Sequence, residues 1–235
     1  MKILALETAT DACSVALLID DDLFIEFELA PRQHTKLILP MIGKVLAAAG
    51  IALADLDAIA FGRGPGAFTG LRIAAGVTQG LALAADLPVI PISTLAALAR
   101  QSYDTHKHTH IMVALDARIN EVYWGKYVVQ DNRLILQGEE QVLLPQAVEL
   151  QRLHNESWVG VGSGWSVYAD VLQEKVGEMQ FIYADSAPSA VSIARLAVDE
   201  FIAGNAVAVE EAQPVYLRDK VAETIAERKK KQYAR

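Results

Sequence analysis

Cysteine is almost absent from this chain. Cys13 is the only one, so no internal disulfide can form, and a zinc site built from several thiolates is excluded. Long hydrophobic runs are missing too. Uncharged stretches such as Ile73 to Ala85 and Leu87 to Ala99 fall short of the roughly 20 apolar residues that span a bilayer. Glu7 interrupts what would be a signal-peptide core, so no membrane is expected and a cytoplasmic location is. Positive charge is in short supply: 21 Lys and Arg face 29 Asp and Glu, a net charge of −8. An acidic chain repels nucleic acid unless its basic residues cluster. They cluster at one end, where Arg218 to Arg235 carries +4 and leaves the remaining body at −12. Such a tail reads either as an RNA contact or as a solvated terminus.

What is present is a globular composition. Of 235 residues, 52% are hydrophobic and 21% charged. That excludes disordered and fibrous classes and suits one large or two small domains.

The hydrophobic pattern predicts an α/β chain that repeats itself. Ile3–Leu6, Cys13–Ile19 and Leu23–Phe27 read as strands, with a turn at Asp20-Asp21-Asp22. A helix follows from about Gln33 to Ala49 and is ended by Gly50. Then come a strand at Ala58–Phe61, a helix at Phe68–Ala85, a strand at Val89–Ile92 and a helix from the Ser93 cap to about Tyr103. The second half runs likewise. Strands are expected at Ile111–Leu115, Glu121–Val129 and Leu134–Leu136, and a helix at Pro145–Leu153. A strand at Trp158–Val161, a short helix, a strand at Phe181–Tyr183 and a helix at Ser189–Ile202 complete it. A Gly-x-Gly follows the fourth strand each time, at Gly62/Gly64 and Gly162/Gly164, and an acidic residue, Glu7 or Asp116, ends the first. Two similar domains, 1–105 and 106–235, would then face each other across a cleft where strand ends converge.

Four features could carry function. The loop Gly62-Arg63-Gly64-Pro65-Gly66 joins a strand to a helix. It reads equally as an anion cradle at a helix start or as a tight packing turn. It is no Walker loop, because no Lys-Ser/Thr follows. Glu7 and Thr8 lie at a strand–turn–strand hairpin of the kind that holds phosphates in actin-like ATPases, but Glu7-Thr8-Ala9-Thr10-Asp11 lacks the usual glycine. A nucleotide or anion site there would use Glu7, Thr8, Gly62, Arg63, Gly64 and Asp116. His106 and His110 would share a face on a helix, as metal ligands could, but their polar surroundings favour a solvated linker. His34 and His154 are isolated. Finally, the helices at 33–49 and 68–85 are apolar nearly all round, so each needs cover on more than one side. Either the second domain or another subunit supplies it.

Ile3-Leu4-Ala5-Leu6-Glu7-Thr8, Cys13–Leu17 and Gly64-Pro65-Gly66-Ala67-Phe68-Thr69-Gly70-Leu71-Arg72-Ile73 closely resemble the TsaB (YeaZ) family. Leu115-Asp116-Ala117-Arg118, Glu121-Val122-Tyr123 and Pro214–Arg218 fit the same family. The resemblance implies a duplicated fold of the actin, sugar-kinase and Hsp70 type with two βββαβα domains. It implies a bacterial cytoplasmic protein that pairs with TsaD and helps recruit the ATPase TsaE. That assembly transfers a threonylcarbamoyl group to the adenosine beside the anticodon of certain tRNAs. TsaD-like chains carry a His-x-x-x-His metal motif in the helix after the Pro-rich strand. Here Thr94 and Leu98 stand about where those ligands would be, so a non-catalytic subunit without a metal is expected. By the same resemblance this chain needs no cofactor, ATP or ADP belongs to the complex, and tRNA is met only through it. The partner-binding residues would be Leu37, Met41 and Val45 on the first helix, and Leu71, Ala74, Ala75, Val77, Thr78 and Leu81 on the second. The same surface could form a homodimer. The alternatives are an independent ATPase or kinase using the cleft, and an RNA-binding module using the tail.

Overall fold

The structure of the protein is a computed structural model that describes residues 1–149 and 157–218. β1 (Lys2–Glu7), β2 (Ala12–Ile19) and β3 (Asp22–Leu29) form an antiparallel meander. α1 (His34–Ala49), β4 (Ala58–Gly64), α2 (Phe68–Ala85), β5 (Val89–Ser93) and α3 (Thr94–His106) follow. Gly50 ends α1 in the left-handed conformation, with φ 67°. The Ser93 side chain caps α3 by accepting from the amides of Leu95 and Ala96. The second half contains β6 (His110–Arg118), β7 (Glu121–Gln130), β8 (Arg133–Leu136), β9 (Gln141–Leu143), β10 (Val159–Val161), α4 (Gly164–Val176), β11 (Phe181–Tyr183) and α5 (Ala190–Ile202).

The sheets have the same strand order, β3-β2-β1-β4-β5 and β8-β7-β6-β10-β11, with β9 added alongside β7. In each the first three strands are antiparallel and the last two join in parallel. This is the duplicated actin-like fold expected.

Strand alternation sorts the side chains into layers. On β1, Leu4 and Leu6 face outward with Val15, Leu17, Ile59 and Phe61, where α1 and α2 cover them. Ile3 and Ala5 face inward with Ala16, Ala58 and Ala60. That inner face is mostly alanine, which lets a helix approach closely. The helix is α5, through Ala190, Ile193, Ala194 and Ala197. α3 lies beside it and turns Leu95, Leu98 and Ala99 onto Ile111, Val113 and Val159 of the second sheet. α4 packs Trp165, Leu172 and Val176 on the far face of that sheet. The last helix of the second half is therefore the inner cover of the first sheet.

Three local expectations change. Pro145–Ala147 is a single 3-10 turn, and the remainder of the helix expected there, from residue 150, lies outside the described residues. α3 runs on to His106, and His110 opens β6, so the three histidines are not a free linker. His106 stacks on Tyr183 with ring centroids 4.4 Å apart, and His108 Nε2 lies 2.9 Å from the Tyr183 hydroxyl. β9 was not anticipated. The basic tail beyond Arg218 lies outside the described residues. Among the described residues, no helix is long and apolar enough to cross a membrane.

Candidate functional site

Glu7 ends β1 on its inward side and is fully buried. Its Oε1 accepts from the Ala9 amide at 2.6 Å and its Oε2 from the Thr94 hydroxyl at 3.3 Å. Burial dominates the electrostatics and pushes the carboxyl up to about 7, against the lowering by these hydrogen bonds. Thr8 is equally buried, and its hydroxyl donates to the Gly70 carbonyl at 2.8 Å.

The glycines of the 62–70 loop are explained by close approach. A β-carbon on Gly62 would lie 2.1 Å from Glu7 Oε2, one on Gly66 2.5 Å from the Ala9 carbonyl, and one on Gly70 1.9 Å from the Thr8 carbonyl. Of the two readings left open for this loop, the geometry is that of the packing turn. The second-half glycines play the same part: Gly162 and Gly164 press on Ala114. The two motifs are not equivalent residue for residue. The left-handed residue is the second glycine in the first half (Gly64, φ 105°) and the first glycine in the second half (Gly162, φ 100°).

Between the halves opens a cleft of about 620 Å³. The β1–β2 turn, the start of α2, the β6–β7 turn, the start of α4 and residues 184–188 and 215–218 line it. Of the six residues expected to form a nucleotide or anion site, Asp116 lines this cleft, whereas Glu7 and Thr8 are buried and absent from its lining, as are Gly62, Arg63 and Gly64. Arg63 instead lies 4.0 Å from Glu140, whose carboxylate also accepts from Tyr127 and Ser93.

An actin-like fold implies a nucleotide here, and its phosphates need open amides and positive charge. Several amides around the cleft are committed internally. Ala9 donates to Glu7, Ala12 to Thr10 Oγ1, Arg118 to Asp116 Oδ1, Asp116 to Ser163 Oγ, and Ala67 to the Ala9 carbonyl. At the start of α4, the amides of Trp165, Ser166 and Val167 are likewise bonded to Gly162 and Ser163 carbonyls. Asp11, Asp116 and Asp185 bring three carboxylates to the lining. Arg218, a cation at the same wall, is paired with Glu121. These residues do not fit a polyphosphate.

A strap not anticipated as a site closes one side of the cleft. The Val215 amide donates to the Arg63 carbonyl at 2.7 Å. Tyr216 packs against Phe68 with centroids 5.3 Å apart and accepts from Arg72 Nε at 3.3 Å. Arg218 reaches the carbonyl of Arg118 and the carboxylate of Glu121 in the second half. The sequence signal was the apolar Pro214–Leu217 run just before the basic tail.

The two over-apolar helices lie side by side on the outer face of the first sheet. Six of the nine residues assigned to a partner are buried there in the chain's own core: Met41, Val45, Leu71, Ala74, Ala75 and Thr78. Leu37, Val77 and Leu81 are half-buried. The outward surface is drawn by other residues. Leu39 is 55% and Leu83 72% exposed. Gly43, Gly76 and Gly80 are exposed, with nothing within 4 Å of where a β-carbon would stand.

A family model described as TsaD, tRNA N6-adenosine threonylcarbamoyltransferase, matches residues 26–226. The tRNA threonylcarbamoyladenosine biosynthesis protein TsaB of Escherichia coli K12 is 45% identical over 231 residues, 94% of this chain and 96% of its own. The protein of the same name from Haemophilus influenzae is 41% identical over 230 residues, 94% of this chain and 95% of its own. The solved structure of YeaZ from Pseudomonas aeruginosa is 43% identical and superposes with a TM-score of 0.87, covering 92% of this chain and 99% of that one.

Proposed function

The chain belongs to the TsaB family, and on that premise we propose that it serves tRNA threonylcarbamoyladenosine biosynthesis as a non-catalytic subunit. It pairs with a TsaD-like chain and helps recruit a TsaE-like protein, and meets tRNA only through that assembly. The observation that carries the pairing is the outward face of α1 and α2. It exposes Leu39 and Leu83 beside the open glycines 43, 76 and 80, a surface on which a second pair of helices can pack closely. Leu37, Val77 and Leu81 border it. The same face serves a homodimer when the partner is absent.

The non-catalytic role rests on the positions where a TsaD-like chain would place its metal ligands. Leu98 is buried in the core, and Thr94 is spent on Glu7. An independent ATPase in the cleft is the weaker reading, because Glu7 is sealed from the cleft and three carboxylates face into it. The test is an omission assay. A TsaD-like protein, a TsaE-like protein, the enzyme forming the threonylcarbamoyl adenylate, tRNA, threonine, bicarbonate and ATP are combined with and without this chain. Modified nucleoside is read by mass spectrometry. Product only with the chain is expected; equal product without it rejects the role. Leu83→Glu should leave the fold intact and abolish co-elution with the TsaD-like chain, since a charge buried without a partner is very costly.

A further inference from the structure

The cleft is a poor fit to a polyphosphate but is far from featureless. Three large apolar side chains stand exposed around it: Leu29 at 67%, Ile119 at 65% and Val167 at 56%. Phe68 and Tyr216 add aromatic surface to the same lining. A cluster of exposed apolar side chains of this kind marks an interaction site.

The backbone supports the same reading. Ile119 and Asn120 link β6 to β7, and with Arg118 before them they take φ 64°, 55° and 61° in succession, past an irregularity in the β6–β7 register. Positive φ at these positions is the geometry that Asn and Gly favour, and a β-branched residue there is strained. The neighbouring β7–β8 turn, of the same length, has Asp131 and Asn132 at φ 50° and 62°, the residues that such a turn ordinarily takes. The chain thus holds an exposed isoleucine at the cleft mouth in a conformation where a polar residue would sit more easily. Strain kept at an exposed β-branched side chain points to use there.

Charge decides what the occupant is. Asp11, Asp116 and Asp185 flank the apolar surface. Arg118 is partnered by Asp116 and Arg218 by Glu121, and among the described residues no ion pair involves Asp11 or Asp185. A second copy of this chain would bring its own acidic body to these carboxylates. We propose that the interlobe cleft is a docking groove for a segment of a partner protein that presents apolar side chains alternating with lysine or arginine. The apolar groups rest on Leu29, Ile119 and Val167, and the cations meet Asp11 and Asp185. This stands apart from the α1–α2 face and from the pairing proposed there.

The probe is a capped, fluorescently labelled octapeptide of alternating leucine and lysine, titrated into the full chain and read by anisotropy. A leucine–glutamate peptide is the control. Saturable binding of the lysine peptide alone is expected. Ile119→Asn, Leu29→Ser and the pair Asp11→Asn with Asp185→Asn should each weaken it at least tenfold. Leu83→Ser, on the α2 face, should leave it unchanged. Ile119→Asn carries its own check on folding, because it should raise the melting temperature while lowering affinity. No saturable binding, equal binding of the glutamate peptide, or affinity unchanged in the cleft variants overturns the proposal. So does displacement of the probe by magnesium–ATP, which would return the cleft to a nucleotide. Self-association of the chain lost in the same variants would assign the groove to a second copy and also overturn it.

Discussion

Gly62 and Glu7 share a space that admits only one side chain: a β-carbon at 62 would stand 2.1 Å from Glu7 Oε2. The carboxylate occupies the room the glycine leaves, held by the Ala9 amide and the Thr94 hydroxyl. β1, β4 and the start of α3 are joined at this point.

The pH dependence of stability follows from that burial. The Glu7 carboxyl moves from an ordinary 4.5 up to about 7. The folded chain therefore holds a proton that the unfolded chain has released between those values. Stability from this group is full below pH 4.5, falls as pH rises to 7, and stays low above it. The loss is roughly 3 kcal/mol, at 1.36 kcal/mol per unit. Urea denaturation from pH 4.5 to 8 should show this downward slope, and Glu7→Gln should flatten it.

Gly62→Ala and Gly70→Ala should each cost at least about 3 kcal/mol, because fully buried atoms must move. At Gly70 the obstacle is the Thr8 carbonyl at 1.9 Å, part of the backbone itself. Glu7→Ala should recover part of the Gly62→Ala loss and none of the Gly70→Ala loss. Chemical denaturation of the single and double variants checks this.

Gly76→Ala and Gly80→Ala should do the reverse. Both glycines lie inside α2 with open space outside them, so alanine should add up to about 1 kcal/mol to the isolated chain. Bulkier residues there, such as Gly80→Gln, should keep the chain folded and weaken pairing with a TsaD-like protein at least tenfold. Thermal melting and analytical co-elution separate the two effects.

Arg218 and Glu121 should be energetically coupled. Their pair is partly buried, with side chains 14% and 32% exposed, so a double-mutant cycle should return about 1 kcal/mol after allowance for solvent screening. Arg218→Ala alone should cost somewhat more, since the Arg118 carbonyl loses a donor as well.

The duplication was legible because it is written twice in strand-length apolar runs and in glycine spacing. α1 ended at its expected breaker, Gly50, and α2 and α5 covered nearly the residues expected. Pro145 misled, because proline at a first helical turn also opens a 3-10 turn, and Pro145–Ala147 is one. β9 is three residues long and has no period of its own to read. The α1 and α2 faces were harder still. A helix apolar on all sides gives no phase, so Met41, Val45 and Ala74 could not be told from Leu39 and Leu83 until the sheet behind them was in place. Glu7 lay under the same limit, since a carboxylate at a strand end looks identical whether it meets water or the end of a helix.

The inner cover of the first sheet has a consequence in time. Ile3 packs in one cluster with Ile193, and a ribosome delivers the first long before the second. At roughly 5–20 residues per second the wait is on the order of 10–40 s. Through it the alanine-lined face of β1, β2 and β4 stays uncovered while the outer helices are already made. A nascent chain of this protein is therefore a one-sided sheet that needs protection during synthesis, and a message cut short before codon 190 yields a product that never closes.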